Sequence, residues 1–238
     1  MVRRHGRGRV AFCAAVHNID EQQIRIIGGS LTGASVLTES VTHTHVVRRL
    51  YRPDLPLFRD HLVRLDADTR YNRFGLHVSD EYLGNYAELC FAPGSITYGY
   101  FEDGVIRGAS ELRMFASKDQ PYHKDAEAAF SVETPWRRRG IGAELMGHIV
   151  LAARNRSIGT LSIFCLRHNQ AMLRLAKKFE AELKFEMSDV TGRLEARPPS
   201  AWSLWHEFVD NTLDLGSALI DYQGRVIHAA AQKVGFAS

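Results

Sequence analysis

The stretch PWRRRGIGAELM, residues 135–146, decides the interpretation of this chain. Three consecutive arginines, Arg137 to Arg139, are followed by Gly140 and Gly142. The spacing of the apolar residues after these glycines predicts a helix. The first turn of a helix presents backbone N–H groups without partners and a partial positive charge. Glycine lets an anion approach that backbone, and arginine suits phosphate oxygens. The stretch therefore predicts an anion site, for which a pyrophosphate-bearing cofactor is the natural occupant.

Four classes of ligand compete for this loop. ATP or GTP would require Lys and then Ser or Thr after the glycines, but Ala143 and Glu144 follow, which excludes a P-loop. A dinucleotide would require a third glycine at position 145, which is Leu145, and an acidic residue near 163–166, which reads IFCL. The dinucleotide interpretation is therefore weak, while a free regulatory anion and coenzyme A both stay open.

The composition is that of an ordinary globular protein of 238 residues, with 45% hydrophobic and 24% charged residues. The net charge of +3 comes from scattered basic residues, which argues against a nucleic-acid partner. No apolar run reaches the roughly 18 residues of a membrane span. The three widely spaced cysteines form no zinc pattern, and His43 and His45 lack a third ligand, so we expect no metal. We expect a cytoplasmic protein.

Hydrophobic periodicity predicts an α/β fold of the α+β type, with a mixed, mostly antiparallel sheet and helices on both faces. The Asp103-Gly104 pair predicts a hairpin turn between two strands. The expected order is strand, two or three helices, three strands, helix, strand, helix, and a strand or hairpin, from residues 42–51, 53–90, 95–101, 105–115, 125–132, the segment after 140, 160–166, 169–182 and 183–196.

Three regions are expected along the chain. Residues 1–40 lack periodicity and are expected to be a disordered extension, while residues 43–196 form the main domain. Residues 197–238 follow Pro198-Pro199 and form a C-terminal helical tail with apolar residues at mixed three- and four-residue steps. We expect Trp202 and Trp205 to pack this helix onto the domain or onto a partner chain, which makes a homodimer possible.

The segment VETPWRRRGIGAELM, residues 132–146, resembles the acetyl-CoA loop of the GCN5-related N-acetyltransferases, the GNAT superfamily. The motif of that superfamily is Arg or Gln, two residues, Gly, one residue, and Gly or Ala, met here by Arg137, Gly140 and Gly142. The surrounding pattern agrees, because an alternating strand precedes the loop and an amphipathic helix, a strand and NQAMLRLAKKF follow it. The resemblance covers about residues 43–195 and is especially close to bacterial protein lysine acetyltransferases.

This resemblance implies the GNAT acyl-CoA N-acyltransferase fold, acetyl-CoA as cosubstrate without a metal, and a primary amine of a small molecule or protein as acceptor. Acetyl-CoA would lie where strand 125–132 separates from strand 160–166, with its diphosphate on the N–H groups of residues 138–143. Because those contacts are main-chain, the arginine side chains would matter less than the glycines. The implied cofactor-binding residues are Phe130, Ser131, Val132, Arg137, Arg138, Arg139, Gly140, Ile141, Gly142, Ala143 and Asn169.

Acetyl transfer to an amine requires a base, because a free lysine amine titrates near about 10.4. Glu127 and Glu111 are the candidates. Glu127 is favoured because it lies on the cofactor strand, where similar lysine acetyltransferases carry their base. The backbone N–H near Val132 would stabilise the oxyanion.

The general acid of the superfamily is the exception to the resemblance. It is usually a Tyr seven positions after the residue that matches Asn169, and here that position is Ala176. Tyr98 and Tyr100 are the alternative donors, although tyrosines on strands more often pack in the core, and water can protonate a thiolate leaving group. The departure keeps a second hypothesis open, in which the chain is a catalytically weak or inactive acetyl-CoA-binding sensor or regulatory module.

Overall fold

The computed structural model describes residues 45–116, 124–186, 189–195 and 199–235, and these form one seven-stranded sheet with six α-helices. The strands are β1 His45–Arg49, β2 Ser95–Glu102, β3 Val105–Ala116, β4 Lys124–Val132, β5 Ile158–Leu166, β6 Glu182–Glu186 and β7 Asp189–Glu195. The helices are α1 Leu55–Arg64, α2 Ala67–Phe74, α3 Asp80–Leu89, α4 Ile141–Asn155, α5 Gln170–Lys178 and α6 Ala201–Gly235.

The strands lie in the order β1-β2-β3-β4-β5-β7-β6. Only β4 and β5 pair in parallel, because α4 crosses over between them, and the other neighbours are antiparallel. The predicted turn between β2 and β3 is present, with left-handed φ angles of 52° at Asp103 and 76° at Gly104. The predicted mixed, mostly antiparallel fold is confirmed.

The parallel pair of strands separates halfway along its length. Its register ends at Ala128 opposite Ile163, although β4 continues to Val132 and β5 to Leu166. The edge of β4 beyond Ala128 therefore faces a gap instead of a neighbouring strand. The separation of these two strands that the family resemblance implied is present.

Both faces of the sheet are covered by helices, as predicted. On one face, α4 buries Ile141, Leu145 and Met146 against apolar residues of the central strands. On the other face, α1 and α3 pack around Phe58 and Leu62. The two-residue period of β4 then assigns its side chains: Ala126, Ala128, Phe130 and Val132 face α4, and Glu127, Ala129 and Ser131 face α1 to α3.

The last helix, α6, is 35 residues long and begins at a capped N-terminus, where Ser200 Oγ accepts from the Ser203 N–H at 3.1 Å. It lies along β1, α4 and the 3-10 helix at Arg52–Asp54. Trp202 and Trp205 are 74% and 60% exposed. Of the two expected locations, the domain is not where these tryptophans pack, because α6 contacts the domain through a polar face, and packing onto a partner chain stays a prediction.

Candidate active site

A cavity of about 340 Å³ opens where β4 and β5 separate. Helices α2 and α3 form its other wall, with Phe74, Tyr82 and Tyr86. Four residues that the sequence singled out line this cavity together, namely Glu111, Glu127, Phe130 and Asn169. Ser131 and Val132 follow on β4 but do not line the cavity. The Ser131 side chain is turned toward α1, where it meets His61.

The glycine loop forms an open N-terminus for α4. Arg138 and Gly140 adopt left-handed φ angles of 65° and 86°, and no atom lies within 4 Å of a Cβ built on Gly140. Among the described residues, none accepts a hydrogen bond from the N–H groups of Gly140, Ile141 and Gly142. Ala143 differs, since its N–H donates to the Gly140 carbonyl at 2.8 Å. Three adjacent donors therefore point away from the helix, the arrangement that binds phosphate oxygens.

Two of the three loop arginines are held by the protein. Arg137 donates to the Val132 carbonyl at 3.3 Å and also binds Thr69. Arg139 lies 3.5 Å from Glu102. Within the described part of the chain, Arg138 makes no such contact and is exposed. Arg137 and Arg139 therefore hold the conformation of the loop as well as adding positive charge to it, and the expectation of main-chain contacts to the cofactor stays a prediction.

The two candidate glutamates are diagonal neighbours on one face of the sheet. Glu111 pairs with Ala129 and Arg113 pairs with Glu127, which separates the glutamate Cα atoms by roughly 7–8 Å. Glu127 is half-buried, and no described residue forms an ion pair with it. It is the carboxylate of this pair that is available to a ligand.

Glu111 is committed to a buried cluster. Its Oε2 accepts from Arg73 Nη2 at 2.8 Å, from the Tyr86 hydroxyl and from Cys90 Sγ at 3.4 Å. Burial and the Glu111 charge raise the pKa of Tyr86 and of Cys90, so both keep their protons. Burial disfavours the charge on Arg73, but Glu111 outweighs this effect and raises its pKa. Glu111 Oε1 is buried and has no partner among the described residues.

Comparison with known proteins agrees with this geometry. A family model described as the acetyltransferase (GNAT) family matches residues 59–180, which is half of the chain. The chain belongs to the GNAT acetyltransferase family. Acetyl-CoA is the cosubstrate of that family, and the cofactor predicted from the sequence is the one that the family uses. No curated protein sequence matches the chain.

Three solved structures illustrate the shared GNAT fold. The GNAT domain of PAT from S. lividans has a TM-score of 0.54 and 19% identity, covering 63% of this chain and 89% of that one. RimL, a ribosomal L7/L12 alpha-N-protein acetyltransferase in complex with coenzyme A, has a TM-score of 0.51 and 13% identity, covering 64% and 94%. Ribosomal-protein-alanine N-acetyltransferase from Brucella melitensis has a TM-score of 0.50 and 18% identity, covering 62% of this chain and 97% of that one. At these identities the likeness concerns the fold alone.

A buried hydrogen-bond chain behind the GNAT loop was missed from the sequence. His61 Nε2 lies 2.9 Å from Ser131 Oγ, and His61 Nδ1 lies 3.2 Å from Glu133 Oε1. Arg64 and Arg107 each bind Glu133 at 3.0 Å. Burial lowers the pKa of His61, so the ring is neutral and can donate to Glu133 while accepting from Ser131. The sequence signal was a polar His61 beside Phe58 and Leu62 on the apolar stripe of α1.

The position of the usual GNAT acid is occupied by packing. Ala176 is buried under β7, and its Cβ lies 3.6 Å from a Cβ built on Gly192. Tyr98 and Tyr100 are not substitutes, because both are buried on the opposite, α4 face of the sheet and neither lines the cavity. The tyrosines that do line it are Tyr82 and Tyr86.

The described residues contain no group of three or more side chains that could hold a metal ion. His45 stacks on Tyr100 at 5.5 Å between ring centroids, and His43 lies outside the described residues. In the part of the chain that the structure describes, no helix is both long and apolar enough to cross a bilayer.

Proposed function

We propose that this chain transfers the acetyl group of acetyl-CoA directly to a primary amine within a ternary complex. The observation that carries the proposal is the position of Glu127. This carboxylate lines a cavity at the point where β4 and β5 separate. Three open backbone donors, the N–H groups of residues 140–142, follow after the end of β4. A base for an amine thus lies on β4, and a site for an anionic tail lies at the start of α4, the helix that follows this strand.

The chain's own groups fit the cosubstrate, which supplies an activated acetyl thioester. The N–H groups of residues 140–142 would hold the diphosphate, since they lack acceptors and Gly140 leaves the approach open. The free edge of β4 from Phe130 to Val132 would pair with the amides of the pantetheine arm. Asn169 caps α5 through Oδ1 at 3.2 Å from Met172 N, which leaves its Nδ2 donor to face the cavity.

In the proposed reaction, the amine nitrogen forms a bond to the acetyl carbon and the carbon–sulfur bond breaks. The Glu127 carboxylate takes the proton that the nitrogen releases. A backbone N–H near Val132 stabilises the charge that develops on the carbonyl oxygen. The leaving thiolate belongs to a thiol with a pKa near about 8.5, so solvent can protonate it although Ala176 replaces the usual tyrosine.

The acceptor reaches Glu127 past Phe74, Tyr82 and Tyr86. Aromatic faces beside a carboxylate suit an alkylammonium group before it loses its proton. The acceptor is therefore proposed to be the primary amine of a small molecule or of a protein. We place the enzyme in the cytoplasm, where reducing conditions would keep the buried thiol of Cys90 reduced.

The test is release of CoA thiol with a panel of amines, comparing wild type with Glu127→Gln. We expect kcat to fall by roughly 10²–10⁴-fold, with the dissociation constant for acetyl-CoA unchanged. The defect should shrink as the pH approaches the amine's own pKa of about 10.4, because a base is then dispensable. Asp125→Asn is the matched control, since Asp125 lies on the same face of β4 but not in the cavity. Equal kcat in Glu127→Gln and wild type would refute the assignment.

Ala176 favours one second candidate, an acetyl-CoA sensor without turnover. A ligand that binds only the folded chain raises its melting temperature with the logarithm of ligand concentration. A sensor would show a saturable thermal shift with acetyl-CoA and no CoA release with any amine. The enzyme would show both.

A further inference from the structure

Helix α6 has reversed amphipathicity. The face toward the domain is polar: Asp214 accepts from the Arg49 N–H at 2.8 Å, and Asp221 binds Arg48 at 3.2 Å. Nearer the start of the helix, Glu207 binds Arg156 at 2.5 Å. Because hydrogen bonds and ion pairs hold this face, the apolar residues of α6 are left to the opposite side.

That opposite side carries a regular apolar stripe. Its members are between 43% and 64% exposed and follow each other at three- and four-residue steps once Thr212 is counted: Trp205, Phe208, Leu215, Leu219, Tyr222 and Val226. Steps of three and four give the 3.5-residue period by which one helix pairs with another. The stripe runs for 22 residues, about 33 Å of helix.

The exposed area is that of an interface. With further exposed apolar residues such as Leu213 and Ile220 beside the stripe, α6 presents on the order of 1,000 Å² of apolar surface, against roughly 800 Å² per partner in a standard interface. The largest apolar patch on an ordinary monomer is roughly 300–600 Å². The area is therefore sufficient for a stable dimer and larger than a lone chain usually shows.

We infer that the stripe is covered by α6 of a second copy of this chain, with the two helices antiparallel about a twofold axis near Leu215 and Gly216. This arrangement sets Trp205 opposite Val226, a large side chain against a small one, and brings Phe208 near Tyr222. Gly216 lies mid-helix with no atom within 4 Å of a built Cβ. A glycine costs about 1 kcal/mol there relative to alanine, and it permits close approach of the partner backbone at the crossing point.

The charges of α6 favour a second copy over a membrane surface. Residues 201–224 contain no Lys or Arg, whereas a helix that lies on anionic lipid carries both on its polar face. The acidic residues of α6 would be repelled by such lipid. The stripe itself is uncharged, so two copies meet without like-charge repulsion.

The oligomeric state of the full chain tests this inference and is independent of any acetyl transfer. Light scattering at tens of micromolar should give twice the chain mass of 26.8 kDa. Leu219→Asp should halve the observed mass, because it places a charge in the middle of the stripe. Ser217→Asp, exposed on the same helix but off the stripe, should leave the mass unchanged. Circular dichroism should show both variants folded, since both side chains point outward.

Cysteine crosslinking tests the orientation. Leu215→Cys should form an intermolecular disulfide under mild oxidation, and mixed Trp205→Cys and Val226→Cys chains should crosslink to each other. A self-crosslink of Trp205→Cys would overturn the antiparallel pairing. A wild-type monomer would overturn the inference, as would a dimer that Leu219→Asp does not dissociate or a monomer that cosediments with anionic vesicles.

Discussion

Glu111 and Glu127 face the same side of the sheet, but their neighbours give them different roles. Glu111 is held by Arg73, Tyr86 and Cys90, whereas no described residue forms an ion pair with Glu127. The side chains of Glu111 and Arg73 are 8% and 11% exposed, so each shields the other's charge from an apolar environment. We therefore regard Glu111 as the residue that fixes α2 and α3 over the cavity.

Replacing Glu111 tests this structural role. Glu111→Gln leaves the Arg73 guanidinium buried without a counter-charge, which should lower the free energy of unfolding by about 3–5 kcal/mol. Glu127→Gln should change it by less than about 0.5 kcal/mol, as for most partly exposed positions. Urea unfolding followed by circular dichroism measures both. A loss below about 1 kcal/mol for Glu111→Gln would contradict the anchoring role.

His61 gives a pH dependence of a defined sign. Burial lowers its pKa in the folded chain below the unfolded value of about 6.5. The unfolded chain therefore binds the proton first, and stability that is complete above about pH 6.5 is lost as the pH falls through the lowered pKa. The melting temperature should drop between pH 7.5 and 5. Because Gln does not titrate, the difference in melting temperature between wild type and His61→Gln should narrow over this pH range. A constant difference would refute the assignment of this pH dependence to His61.

Glu133 contributes in a separate, more acidic window. Burial opposes its ionisation, but the hydrogen bonds with His61 and Arg107 and the charge of Arg64 outweigh burial and lower its pKa. Its stabilisation is present above the unfolded carboxyl pKa and is lost below about pH 4.5. The loss of stability due to His61 and the loss due to Glu133 can thus be separated in one series of melts at different pH values.

Residue patterns predicted some of these roles and not others. Glu127 was proposed as the base because it lies on the strand where similar lysine acetyltransferases carry theirs. The partnership of Arg73 with Glu111 joins residues 38 positions apart, and no local period reports it. Ser131 was read as a cofactor contact only, since nothing in β4 shows that α1 delivers His61 to it.

Among the elements, the loop before α4 is the proposed binding site for the anionic tail of the cosubstrate. Its open donors depend on the left-handed φ of Gly140, a conformation that costs an alanine about 1 kcal/mol or more. No neighbouring atom obstructs a methyl group there, so the consequence of Gly140→Ala is backbone strain instead of a clash.

A matched pair of glycines in one loop and helix tests the importance of this backbone. Gly140→Ala should weaken acetyl-CoA binding by roughly tenfold or more, since relaxing φ reorients the donors. Gly147→Ala, inside α4 with an equally open Cβ position, should leave binding unchanged and stabilise the fold by about 0.5–1 kcal/mol. Calorimetric titration and thermal melting measure the two effects. Equal affinities for both variants would argue against the loop as the diphosphate site.

The sequence was most informative about single strands, loops and helices. The strand, loop and helix from residue 124 to 155 follow from alternation, from glycine and from the apolar spacing of Leu145, Met146 and Ile149. The point at which β4 leaves β5 was predicted only through the family resemblance. Both strands continue past Ala128 and Ile163 with ordinary strand residues, so their composition carries no signal for it.

In the whole molecule, α6 is joined to the domain by contacts that are sensitive to pH. Burial, with a further contribution from Asp210, raises the pKa of Asp214 to about 6, although the hydrogen bond from the Arg49 N–H opposes this. The folded chain therefore binds this proton more tightly than the unfolded one. The stabilisation is complete below about pH 3.8 and is lost as the pH rises through about 6.

Asp214→Asn should remove this dependence. Asparagine can still accept from the Arg49 N–H but carries no charge, so the variant should be more stable than wild type at pH 8 by roughly 1–3 kcal/mol. The advantage should vanish near pH 4. Thermal melts at pH 4 and pH 8 measure this difference in stability. Asp68→Asn is the control, because Asp68 is an exposed aspartate on helix α2. Equal stability of Asp214→Asn and wild type at pH 8 would contradict a buried carboxylate.

The sequence predicted that residues after Pro199 form a helix, but it left open whether the apolar face of that helix packs on the domain or on a partner chain. Apolar periodicity normally marks the inner side of a helix. Here β1 offers backbone donors and arginines instead of an apolar groove, so Asp214 and Asp221 turn inward. The pattern alone cannot show what the neighbouring surface presents.

The contacts between α6 and β1 join parts of the chain 165 and 173 residues apart. During synthesis the first strand emerges long before the helix that covers it, at about 5–20 residues per second. For many seconds a nascent chain therefore exposes Arg48 and the outer edge of its sheet to other proteins. A premature stop near codon 200 would leave that edge permanently uncovered, and such a product should be cleared by cellular proteases even though its cosubstrate loop is complete.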